Sequence, residues 1–168
     1  MTIPEPTAAT DPRLALLRHT VATVAYRGGK TLRGCPAGFA EFRASPTTRT
    51  PLEIVAHLGD LLAWSLSMVK GSQEWKPAPP QGWEAEVARF FATLAAFDER
   101  LAAGGLPAAF PAETLFQGPI ADALTHVGQL ALLRRMAGAP VRGENYARAE
   151  IVAGRVGPEQ AAPNREFD

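Results

Sequence analysis

Apolar residues recur every three or four positions in four separate segments of this 168-residue chain, and Gly or Pro closes each segment. That period belongs to amphipathic helices, and β-branched alternation is weak throughout. The first segment opens at Asp11, a capping residue, with Pro12 at the first helical position. Leu14, Leu17, Val21 and Val24 form its stripe, Gly28 and Gly29 weaken it, and Gly34 with Pro36 ends it. The second opens on Thr50-Pro51-Leu52-Glu53. There the Thr50 side chain can take the third helical N–H while Glu53 reaches back to the Thr50 N–H. Its stripe is Ile54, His57, Leu61, Trp64 and Met68, ending near Lys70. The third spans about Trp83 to Ala103, with Val87, Phe90, Leu94, Phe97 and Leu101 along one edge and Phe91 widening it. The fourth runs from Ala121 to Arg135, with Pro119 placed for its first turn and Gly138 past its end. Four such segments predict an all-α four-helix bundle. The connections, including a loop over 106–118, are longer than ordinary bundle turns and suit crossover connections.

The length fits one domain over residues 1–168, with 1–10 and about 158–168 reading as tails. Residues 139–151 are expected to pack back on the bundle through Val141, Tyr146 and Ile151, with Val152 as a further anchor. Seventeen basic residues balance seventeen acidic ones, so nothing draws the chain to nucleic acid or an anionic membrane. No apolar run is expected to span a bilayer. The start, MTIPEPTAAT, lacks the basic and apolar regions of a signal peptide, and a cytoplasmic protein is expected. The single cysteine, Cys35, excludes a disulfide framework and reads as an inert thiol. The paired Phe90 and Phe91 suggest apolar surface left for a second copy, hence a homodimer.

Chemistry concentrates where two stripes turn polar. The spacing Asp122-x-x-x-His126 puts both side chains on one helical face, followed by Gln129 or Leu130 and then Leu133. His57 lies on the inward stripe of another helix. Bundle sites are built in this way, from groups facing each other across helices. Imidazole and carboxylate suit zinc, nickel, iron and related divalent ions, and three protein ligands leave a position for water or substrate. The spacing alone fits equally a surface Asp–His pair and a core histidine bonded to a carbonyl. Asp60, one turn after His57, could orient the imidazole or stand in solvent. Gln129 could bond a ligand or support a ligating group, and Trp64 could line a pocket or fill core.

The segments TPLEIVAHLGDLLAW and HVGQLALLRRMAGAP resemble the second and fourth helices of the DinB/YfiT-like metalloenzyme superfamily. The resemblance is clearest over residues 50–151. It implies a four-helix bundle with a long crossover, often dimeric, and a metal triad of one histidine on the second helix and a His-x-x-x-His pair on the fourth. His57 matches the first ligand and His126 the last, while Asp122 stands where the family usually has histidine. Relatives that are mycothiol-dependent maleylpyruvate isomerases carry a glutamate at that place, one methylene longer. Others are thiol S-transferases. The resemblance thus implies a divalent metal on His57, Asp122 and His126, and transfer, isomerisation or hydrolysis of a small molecule with a thiol cosubstrate. The alternative is a binding or scaffold protein on the same fold with a decayed metal site.

Overall fold

The computed structural model describes residues 11–167. Helix α1 spans Pro12–Leu32, and the Asp11 carboxylate caps it by accepting the Arg13 N–H at 2.9 Å. Helix α2 spans Pro51–Val69 and carries both halves of the expected capping box. Thr50 Oγ1 accepts from the Glu53 N–H at 3.1 Å, and Glu53 Oε2 accepts from the Thr50 N–H at 2.7 Å. Helix α3 spans Trp83–Ala102. A short helix α4, Ala112–Leu115, runs through a π-helical stretch, Phe116–Ile120, into α5, Ala121–Met136.

Helix α1 packs against α3 and α5, and α2 packs against the same two. Helices α1 and α2 therefore stand at opposite corners, as do α3 and α5. Residues 33–50 cross the bundle, whereas 70–82 join neighbours. The fold is all-α apart from one two-residue strand pair, β1 Gly143–Glu144 with β2 Glu166–Phe167. Leu17, Val21 and Val24 meet Leu58, Leu62, Phe90, Leu94, Phe97, Val127 and Leu130 in a single core.

Three expectations need correction. Helix α1 runs on through Gly28 and Gly29, which sit where the α3 aromatic rings pass. A Cβ on Gly28 would lie 2.8 Å from Phe90 Cζ, and one on Gly29 would lie 3.5 Å from Phe91 Cζ. Phe90 and Phe91 are buried within one chain, so this pair does not itself supply the apolar surface on which the homodimer expectation rests. The stretch 112–120 is helical, not loop, and Pro119 lies inside it. Proline has no N–H to donate and crowds the carbonyl four residues back, and the wider π turn accommodates both effects. Helix α2 is long and apolar enough to cross a membrane by length and composition, contrary to the expectation, but 61% of that window is buried inside the bundle. Packing against α3 and α5 accounts for its apolarity.

The C-terminal stretch is not a tail over 158–167. The Gln160 side chain donates to the carbonyls of Arg155 and Gly157, and β2 pairs with β1. Residues 139–151 do pack back, with Tyr146 meeting Tyr26 edge to face at 6.3 Å and lying under the Arg27 guanidinium. Val152 is exposed and anchors nothing. A buried charge takes its place. Glu144 accepts from Lys30 Nζ and from the Tyr26 hydroxyl, both at 2.7 Å, and from the Asn164 N–H at 3.0 Å. Glu166 adds a second carboxylate 2.8 Å from Lys30. The tail 1–10 lies outside the described residues.

Candidate metal centre

Three residues converge where α2 meets α5, with His126 buried and Asp122 exposed. His57 stands half-buried on α2; Asp122 and His126 stand one turn apart at the start of α5. The Asp122 carboxylate lies between the two imidazoles. Oδ1 is 3.5 Å from His126 Nε2, and Oδ2 is 3.9 Å from His57 Nε2. The imidazole rings meet edge to face with centroids 4.7 Å apart. One ligand atom from each residue lies within 4.8 Å of the others. Bonds of about 2.1 Å to a tetrahedral ion set donors roughly 3.4 Å apart, close to the spacings on either side of Asp122. The shorter Asp side chain reaches both histidines because α5 lies directly against α2.

The π turn positions Asp122. A π turn places one more residue in a helical turn and rotates the residues after it about the helix axis. It ends at Ile120, two residues before Asp122. Its Gly118 faces Trp64, 4.0 Å from where a Cβ would sit.

The surroundings sort the remaining candidates. Gln129 Oε1 lies 2.8 Å from His126 Nδ1. An amide oxygen only accepts, so Nδ1 carries the proton and Nε2 keeps its lone pair toward Asp122. Trp64 lines a cleft of about 420 Å³ with His57, Leu61, Gln73, Trp75 and Asp122. Asp60 neither orients His57 nor stands in solvent. It is buried and accepts from Arg89 Nη1 at 2.9 Å, while Arg89 also binds Glu86 and the Ala56 carbonyl. Gly59 leaves room for that guanidinium, since a Cβ there would sit 2.5 Å from Arg89 Cζ.

Trp75 was not among the sequence candidates. It comes from the proline-rich connection between α2 and α3 and meets His57 at 5.7 Å and Trp64 at 5.9 Å, both edge to face. A tryptophan amid prolines and polar residues was the one available signal.

Burial pushes the His57 imidazole below its ordinary pKa. The neighbouring His126 and the positive charge of Arg49 push the same way, against Asp122 and Asp60. A histidine held neutral is in the form that ligates metal. Cys35 lies apart from this centre, with Arg134 Nη1 3.2 Å from its sulfur. Burial raises its pKa despite that cation, which disfavours the reactive thiolate.

Comparison with family models, curated proteins and solved structures returns no match to this chain.

Proposed function

We propose that this chain is a DinB/YfiT-like metalloenzyme that binds one divalent ion through His57, Asp122 and His126 and acts on a small molecule. The observation that carries the reading is the Asp122 carboxylate lying between two imidazoles whose Nε2 atoms both face it. Two nitrogens and a carboxylate suit zinc, nickel or iron and leave coordination positions for a water or substrate. A bound ion supplies Lewis acidity, which makes a water or a thiol cosubstrate a better nucleophile near neutral pH.

The chain's own residues divide the remaining work. Gln129 fixes the tautomer and orientation of His126. Trp64 and Trp75 wall the approach to His57 with apolar rings. Asp122 brings the negative charge that a divalent cation requires. The crossed helix order supports a bundle of the DinB/YfiT-like type.

Metal content of protein purified without an affinity tag tests this reading. About one divalent ion per chain supports it. A chain that carries no metal and takes up none from added zinc, nickel or iron favours the scaffold alternative.

A further inference from the structure

A second cleft, of about 620 Å³, opens beside the same centre. One wall is the face of α5 that carries His126, Gln129, Leu133 and Met136, with Leu132 at its rim. These positions climb the helix by about 1.5 Å per residue, so the wall runs roughly 15 Å from His126 to Met136. Facing it are Ile54 and the loop before α2, which contributes Arg49. The cleft changes character along its length. Arg49 and His126 are polar, whereas Leu132 and Met136 are large apolar side chains 57% and 53% exposed.

Arg49 differs from its neighbour Arg43. Arg43 is spent on Glu53 and the Thr48 carbonyl. Arg49 has no hydrogen bond or ion pair among the described residues. The acid nearest in sequence, Glu53, is held by Arg43 and by its capping bond to Thr50. Arg49 nevertheless lines the same cleft as His126 of the centre. A guanidinium offers a planar fork that fits a carboxylate through two parallel bonds. One unpaired positive charge balances one negative charge. A dianionic head would leave excess charge near Asp122.

We propose that this cleft binds a small monocarboxylate with an apolar tail, its head on Arg49 beside the triad and its tail along Leu133 and Met136. The inference deepens the metal-centre reading and rests on it for the ligand's role as substrate. The anion cleft itself is measurable without metal. Arg49 is a positioning residue: it holds the ligand's head and does not touch the ion.

Calorimetric titration of the full chain with octanoate, octanamide and butyrate, with and without added zinc, tests it. Octanoate should bind saturably. Arg49→Gln should weaken it roughly five- to tenfold, the worth of a charged hydrogen bond to an exposed arginine, and octanamide should bind the parent more weakly by a similar factor. Met136→Gln, a change on an exposed position, should weaken octanoate and leave butyrate unchanged. Equal octanoate affinity in parent and Arg49→Gln overturns the proposal, as does no saturable binding to a parent that is helical by circular dichroism. Arg49-dependent octanoate binding by a chain that takes up no zinc overturns the metal reading and sustains the anion cleft.

Discussion

Gln129 and His126 stand one helical turn apart on α5, with Gln129 Oε1 2.8 Å from His126 Nδ1. That bond decides which imidazole nitrogen is free. With the proton on Nδ1, the Nε2 lone pair lies 3.5 Å from Asp122 Oδ1 and is available to an ion. Groups that hold a ligating histidine in this way typically contribute 10- to 100-fold in metal affinity. Gln129→Leu should therefore lower zinc affinity by about tenfold or more, while Gln129→Glu, which still accepts from Nδ1, should hold or raise it. Competition with a chromogenic zinc chelator reads both.

The pH response follows from His57. Its folded pKa is depressed below the usual value near 6.5, so the unfolded chain binds this proton more readily. The group's contribution to stability is therefore lost as pH falls through about 6.5 and below. Proton NMR titration of metal-free protein should place the His57 midpoint under 6.5. Zinc affinity should fall in the same acid range, because protonated imidazole does not ligate. A His57 midpoint at or above 6.5 contradicts the burial argument.

The triad pair Asp122-x-x-x-His126 and the inward place of His57 were legible because helical periodicity maps sequence spacing onto a face. The Thr50–Glu53 capping box was legible because both partners lie within one turn. Asp60 was misread because its partner Arg89 lies on another helix, 29 residues away. Pro119 reads as the first turn of a helix that follows a loop, yet it lies inside a π turn that continues from α4. Residues 158–167 lack a periodic stripe, and a strand pair with a buried ion pair holds them, which periodicity does not reveal.

The buried cluster on Lys30 ties the C-terminal segment to α1. Burial opposes charge on both Lys30 and Glu144, but their mutual bonds, with Glu166 and Tyr26, outweigh it. The net result holds Lys30 above and Glu144 below their ordinary values. Glu144's contribution is present above the unfolded carboxylate range and lost as pH falls through its lower folded value. Lys30's is present below the unfolded lysine value and lost as pH rises through its higher folded one. Glu144→Gln should cost about 3 kcal/mol in urea unfolding near neutral pH, the lower end for breaking a buried pair, because Glu166 still faces Lys30. A cost below about 1 kcal/mol would place this network among surface ion pairs.

Gly28→Ala should destabilise the chain although alanine favours helix by up to about 1 kcal/mol. The added Cβ would meet Phe90 Cζ at 2.8 Å, and Phe90 is fully buried with no route outward. Overpacking of this kind costs about 1–3 kcal/mol. Thermal unfolding should show a lowered midpoint. Gly128→Ala, where no atom lies within 4 Å of the new Cβ, is the control and should be neutral or stabilising.

Calorimetric titration of metal-free protein with zinc, on the parent, Asp122→His, Asp122→Ala and His126→Ala, tests the central claim most directly. The parent should bind one ion, and Asp122→His should bind as tightly or more so, since imidazole then replaces the carboxylate. Asp122→Ala should bind more weakly, and His126→Ala more weakly still. Equal zinc binding by the parent and His126→Ala would contradict the metal centre.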